Sequence, residues 1–258
     1  HPKVWAAAQE LRQEGFYLAI CTGRPALGRT RQFAEELDPQ GWHIFQGGAS
    51  LLNLATNQPD SQPLSQEALN TLISQHKSKG WVLELYSDED YVCNQPEDGS
   101  EAAQLAIDHA GLLELPYQTR SFESLKGNVV RAQWVVNDAQ LAEVLASAPE
   151  GLTYASATSP SVPGAHFVSV TMGGVDKCSA IRKLADEVVG CGLEGTMMVG
   201  DGHNDISALK MVGYPVAMAN AVEALKAVAK YTAGHVDQGG AAEALQLAQK
   251  INAELASN

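Results

Sequence analysis

The chain has 258 residues, 45% hydrophobic and 18% charged, a balance that suits one large or two smaller globular units and excludes disorder or collagen-like repeats. No run approaches the ~18 apolar residues of a membrane span. Against 17 Lys and Arg stand 30 Asp and Glu, and a net charge of −13 repels phosphate backbones and anionic lipids, so neither nucleic acid nor membrane is expected as a partner.

The first 15 residues carry Val4, Ala7, Ala8 and Leu11 on one helical face, with Pro2 in the first turn and Gly15 as the stop. Phe16 to Cys21 is a continuous apolar run and predicts a strand buried on both faces of a parallel sheet. A loop, Thr22-Gly23-Arg24-Pro25, precedes a helix over 26–37 and a short strand over 42–45. The alternation predicts an α/β, doubly wound parallel sheet.

The middle breaks that rhythm. After Asn57, Pro59, Asp60 and Pro63 come a helix and two short strands, 81–86 and 91–94, whose adjacency suggests antiparallel pairing. A helix over 100–110, a strand over 128–136, a helix after Asp138 and a strand over 152–155 complete an α+β insertion that closes in 158–164. The limits follow as 1–55 for the first part of the core, 56–165 for the insertion and 166–258 for the second part. In that last part, strands over 167–171, 196–199 and 214–218 alternate with helices over 176–189, 205–211, 222–230 and 241–255. Cys21, Cys93, Cys178 and Cys191 have no CxxC spacing, which argues against a zinc site or disulfide scaffold and predicts a cytoplasmic protein.

In an open parallel sheet, ligands bind outside the carboxyl ends of the strands. Two loops there carry chemistry. Thr22, Gly23 and Arg24 offer a hydroxyl, a flexible backbone amide and a guanidinium, which are groups that hold phosphate. Gly200-Asp201-Gly202-His203-Asn204-Asp205 sets two carboxylates four residues apart around a helix start, the outline of a hard-cation site. His203 reads as a solvated loop tip and is not counted as a ligand.

These motifs, with Val175-Asp176-Lys177 and the stretches 216–221 and 235–240, resemble the haloacid dehalogenase superfamily in its Cof-type subgroup (subclass IIB), with a cap inserted between the second and third motifs. The resemblance covers nearly the whole chain. It implies a Mg²⁺-dependent phosphatase that hydrolyses phosphate monoesters of small metabolites, such as sugar phosphates, through an aspartyl-phosphate. Carried over by position, Thr22, Gly23, Arg24, Lys177 and Asn204 would hold the phosphoryl group. Thr22, Lys177 and Asp201 would serve catalysis, and Asp201, Gly202 and Asp205 the metal. Trp81, Tyr86, Tyr91, Arg120, Arg131 and Trp134 are candidates for lining the cap, although aromatics on a sheet are more often core.

The family's first motif, DxD, does not occur before Thr22, and Asp88-Glu89-Asp90 lies in the insertion, where it cannot substitute. The resemblance therefore implies a further ~15 to 25 residues ahead of His1, a strand plus its loop. Smaller departures are Gly47-Gly48-Ala49, where the family usually has Asn-Gly-Ala, Cys178 after the lysine, and Ala219 before Asn220. Two alternatives use the same residues: a phosphometabolite-binding protein without the nucleophile, and a phosphomutase.

Overall fold

The computed structural model describes residues 1–257. Helix α1 (Pro2–Gln13) opens on Pro2, whose absent N–H costs nothing in a first turn, and Gly15 stops it in the left-handed region at φ 87°. Ala8 and Leu11 pack on Leu18 of the extended segment that follows. That segment, 16–21, runs beside β1 (Trp42–Phe45) after the intervening helix α2 (Gly28–Leu37). Its contact with β1 is one isolated parallel bridge, Cys21 to Ile44. The Ile44 N–H donates to Ile20 O at 2.8 Å and the Thr22 N–H to Ile44 O at 3.0 Å. Strands β2 (Ser50–Asn53) and β3 (Gln58–Pro59) complete an antiparallel set with β1.

The insertion builds a five-stranded antiparallel sheet in the order β5-β4-β6-β8-β7, from β4 (Val82–Tyr86), β5 (Tyr91–Cys93), β6 (Arg131–Asn137), β7 (Leu152–Ala157) and β8 (Ala165–Met172). Side chains alternate across its faces. Leu83, Leu85, Trp134 and Val168 form a core with Leu72 of α3 (Gln66–Lys79) and Val144 of α5 (Asp138–Ala146). On the opposite face, Ala106 of α4 (Glu101–Leu112) covers Val82, Val135 and Phe167. The rest of that face carries the buried polar side chains Arg131 and Gln133.

The chain then returns through α6 (Lys177–Lys183), which widens into a π-helical turn over Leu184–Val189. A parallel sheet in the order β11-β10-β9 follows, made of β9 (Met197–Gly200), β10 (Tyr214–Met218) and β11 (Tyr231–Ala233), with short helices α7 (Ile206–Leu209) and α8 (Glu223–Lys226). The long α9 (Gly240–Ala256) closes the chain against α1. Among the described residues no helix is long and apolar enough to cross a membrane.

Three expectations need correction. The strand over 167–171 forms, but as part of β8 it pairs antiparallel with β6 and β7 in the insertion's sheet and not with the parallel sheet. A strand buried on both faces reads the same in either kind of sheet. The run 16–21 is extended but is no strand buried on both faces: Tyr17 is exposed, and its backbone has a ladder neighbour on one side only. The helix expected over 222–230 ends at Lys226, and the unforeseen β11 uses residues too few to show a period.

Between segment 16–21 and β9 lies an apolar cleft of about 450 Å³, walled by Ala19, Cys21, Met197 and Val199 and floored by Leu184 and Leu245. Val199, in the middle of β9, is 37% exposed because its neighbouring strand, β10, covers one edge only.

Candidate active site

The site loops cluster at the carboxyl ends of segment 16–21 and β9. Thr22 is pinned through its backbone: its N–H donates to Ile44 O and its carbonyl accepts the Gly47 N–H at 2.9 Å. Its hydroxyl oxygen accepts the Arg24 N–H at 3.2 Å, which fixes the loop's turn. Arg24 is exposed, and its carbonyl accepts the Gln46 N–H at 2.9 Å. The turn 46–48 therefore braces the loop from below.

That turn also seats Lys177. Gln46, Gly47 and Gly48 have φ of 55°, 69° and 106°, a left-handed run that only glycine adopts without strain. A Cβ on Gly48 would stand 2.1 Å from Asp176 O and 3.0 Å from the Lys177 nitrogen, so its glycine lets the α6 N-terminus approach the turn. Asp176 caps α6 reciprocally with Ser179 and fixes where Lys177 leaves the backbone.

The Lys177 ammonium is buried and donates to Asp205 Oδ1 at 2.6 Å. Asp205 Oδ2 accepts the N–H groups of Asp201 and Gly202, both at 3.2 Å. Both carboxylate oxygens are thus occupied, and Asp205 acts on the loop and the lysine. Asp201 is exposed, and its Oδ2 accepts from Asn220 Nδ2 at 3.4 Å, while Asn220 Oδ1 takes the Val236 N–H at 3.0 Å. Burial pushes the Cys21 thiol up to about 12, with Lys177 opposing and Asp205 and Cys178 reinforcing the rise, so these groups share one neighbourhood beside Thr22.

Of the residues named from sequence, Lys177, Asp201, Gly202 and Asp205 are joined by hydrogen bonds, and Thr22 is tied through Gly47 to the turn that seats Lys177. Asn204 is exposed, and its Oδ1 lies 2.7 Å from where a Gly202 Cβ would stand, so it folds over its own loop. His203 is exposed, as its loop-tip reading implies. No cluster of three or more His, Cys, Asp or Glu able to hold a metal occurs among the described residues. The donor set still fits a hard cation: Asp201 is an exposed carboxylate without thiolate or imidazole beside it in the loop's bonding, and Mg²⁺ keeps several waters and takes few protein ligands.

The insertion sends one side chain into this site. Arg131 Nη1 donates to Gly23 O at 2.8 Å, and its guanidinium lies 4.3 Å from the centre of the Tyr86 ring. Tyr86 is anchored through its hydroxyl to Glu84 Oε2 at 2.6 Å, which also meets His109 Nδ1 at 2.7 Å. The other cap candidates serve the fold: Trp81 and Trp134 pack edge to face in the core, and Arg120 pairs with Asp90. In the insertion's acidic run, Asp88 accepts from the Ser50 and Ser61 hydroxyls and Asp90 pairs with Arg120, while Glu89 is exposed. Gln46 was not legible as a site residue; the signal available was its position just before Gly47-Gly48.

The family model for haloacid dehalogenase-like hydrolases matches residues 1–245. The chain is 24% identical over 243 residues to the 5-amino-6-(5-phospho-D-ribitylamino)uracil phosphatase YcsE of Bacillus subtilis, covering 93% of this chain and 85% of that protein. Its structure is similar to that of a haloacid dehalogenase-like hydrolase from Bacteroides thetaiotaomicron, with a TM-score of 0.79 at 22% identity over 95% of this chain and 91% of the other. For the subclass IIB sugar phosphatase BT4131 the TM-score is 0.74 at 25% identity, over 95% and 90%.

Proposed function

The chain belongs to the haloacid dehalogenase-like hydrolases and is a phosphatase, and from that premise we propose that it hydrolyses phosphate monoesters of small metabolites such as sugar phosphates, with Mg²⁺ and through an aspartyl-phosphate. What supports this reading is the buried Lys177–Asp205 pair, whose carboxylate also holds the loop of the exposed Asp201, beside the turn 46–48 that braces the Thr22-Gly23 loop.

In this reading the Thr22 hydroxyl and the Gly23 N–H hold oxygens of the transferring phosphoryl group, and Lys177 offsets the charge that gathers there. Asp205 holds the lysine and the Asp201 loop in place. Asp201, with the Gly202 backbone beside it, would hold Mg²⁺, which when bound supplies a positive charge for the phosphoryl oxygens. The nucleophilic aspartate belongs on a parallel strand laid in the apolar cleft between Cys21 and Val199, whose carboxyl end opens on these same groups. Its oxygen attacks phosphorus, the ester P–O bond breaks, and the leaving alcohol takes its proton from the second aspartate of the DxD motif. Water then gives a proton back to that aspartate as it attacks the same phosphorus, which frees inorganic phosphate and the nucleophilic carboxylate. The inserted sheet, expected over 56–165 and continuing here through Met172, acts as the cap that excludes bulk water.

The test is a screen of phosphate monoesters for inorganic phosphate release with Mg²⁺ and with a chelator. Release that depends on Mg²⁺ is the expected result. Binding without release, or transfer of the phosphoryl group to a second hydroxyl, overturns the hydrolase reading.

A further inference from the structure

Three successive carbonyls of the loop at Thr22 are held from outside it. Thr22 O accepts the Gly47 N–H and Arg24 O the Gln46 N–H, both at 2.9 Å, so the turn 46–48 fixes the first and third peptides. The middle carbonyl belongs to Gly23 and takes Arg131 Nη1 at 2.8 Å, from a strand of the inserted sheet 108 residues further along. Among the described residues no other donor reaches that oxygen.

In a trans peptide the carbonyl and the following N–H point in opposite directions, and among the described residues no peptide is cis. Fixing Gly23 O therefore fixes the Arg24 N–H, which donates to Thr22 Oγ1 at 3.2 Å. With its oxygen accepting that bond, the Thr22 hydroxyl keeps its own proton, for which no acceptor stands within hydrogen-bond distance among the described residues. Gly23 has no side chain, and nothing lies within 4 Å of where a Cβ would stand, so without Arg131 this one peptide is free to turn.

Arg131 is costly to place where it is. It is buried, its hydrogen bonds go to Gly23 O and Ser169 Oγ and none to a carboxylate, and its guanidinium lies over the ring of Tyr86, which is itself tethered to Glu84. A cation taken out of water needs compensation, and the shorter of its two bonds is the charge-assisted one to Gly23 O. We propose that Arg131 is a positioning residue: through the Gly23 carbonyl it holds the Arg24 N–H on the Thr22 oxygen, so that the Thr22 hydroxyl presents its proton to the transferring phosphoryl group. The arginine acts through the loop and touches no reacting atom. The proposal rests on the phosphatase reading for the role of Thr22, and it adds the residue of the inserted sheet that makes the loop ready.

A double-mutant cycle with Thr22 tests it. Arg131→Met is expected to lower kcat about 30-fold with KM shifted less than about threefold, and by the same factor for p-nitrophenyl phosphate and glucose 6-phosphate, which share only the phosphate. Thr22→Val should cost about 100-fold, and the double variant no more than that, because the arginine acts through the hydroxyl. Arg131→Lys, whose ammonium still donates to a single carbonyl, should recover most of the lost kcat. Arg131→Gln replaces Arg131→Met in the cycle if melting shows the latter unfolded. Losses that multiply in the double variant, a loss confined to one ester, an unchanged kcat, or a lysine variant no better than the methionine one overturns the proposal. If no ester yields phosphate with the wild-type protein, the phosphatase reading fails, and amide exchange decides this proposal separately. In Arg131→Met the Arg24 amide should then exchange about tenfold or more faster while the Gly47 amide keeps its wild-type rate, and an unchanged Arg24 amide overturns the positioning role.

Discussion

At the residue scale the site rests on Lys177 and on the glycine that lets it approach. A buried ion pair contributes little net stability, yet removing one partner strands the other's charge. Lys177→Ala is therefore expected to abolish turnover and to cost about 3 kcal/mol in urea unfolding, because Asp205 Oδ1 loses its donor. The double variant Lys177→Met with Asp205→Asn should regain much of that stability while staying inactive. Full activity in either variant would remove the lysine from the mechanism. Gly48 and its neighbour Gly47 give a matched pair. A Cβ at Gly48 strikes Asp176 O, whereas at Gly47 nothing lies within 4 Å. Gly48→Ala should thus cost several times the ~1 kcal/mol of left-handed strain expected for Gly47→Ala, and should alone lower turnover by shifting the α6 N-terminus. Equal unfolding midpoints would contradict the close approach.

At the element scale, β5 is tied to the far loop of the insertion by one carboxylate. Asp90 receives both Arg120 terminal nitrogens, at 2.8 and 2.9 Å, the Lys126 N–H at 3.1 Å and the Tyr91 N–H at 2.9 Å. Desolvation pushes this carboxyl up, but the arginine and the two backbone donors together pull it further down, so it ends below its ordinary value. A carboxyl lowered in the folded state contributes stability above its unfolded pKa, and that contribution is lost as pH falls through the lower, folded value. Asp90→Asn should accordingly destabilise the protein by about 2 kcal/mol at pH 7 and by progressively less below pH 4. A loss independent of pH would mean that packing, not charge, secures the loop.

The same scale explains what the sequence made legible. The Thr22 and Asp201 loops stood out because each follows a short apolar run and joins turn residues to phosphate- or cation-holding groups. Lys177 was legible mainly through the family pattern, with a weaker local signal in a cation set at the positive end of a helix dipole. Arg131 stood among six candidates without distinction, because its bond to Gly23 spans 108 residues, and Gln46 reaches Ser87 across 41. No local period carries such contacts. The allegiance of β8 was hidden for a related reason: pairing is decided by partners distant in sequence, while the apolar run reveals only burial.

At the scale of the whole molecule, the core is two part-sheets facing one another across the cleft. In a parallel ladder alternate residues bond to opposite neighbours, and the Tyr214 N–H already takes Thr196 O at 3.1 Å. The register of β9 on β10 then turns the Met198 N–H toward β10 and the Val199 N–H toward the cleft. Where nothing pairs with that edge of β9, the Val199 amide is expected to exchange with solvent about a hundredfold or more faster than that of Met198, its immediate neighbour. Where a parallel strand bearing the nucleophilic aspartate lies in the cleft, the two amides should exchange alike, and Val199 should become buried. The apolar walls supply the drive for that docking, and the unpaired edges on both sides set its direction, which points the strand's carboxyl end at Thr22, Lys177 and Asp201. Hydrogen exchange read by NMR, with and without such a strand, decides the matter. Persistent fast exchange at Val199 in a catalytically active protein would place the nucleophile somewhere other than this cleft.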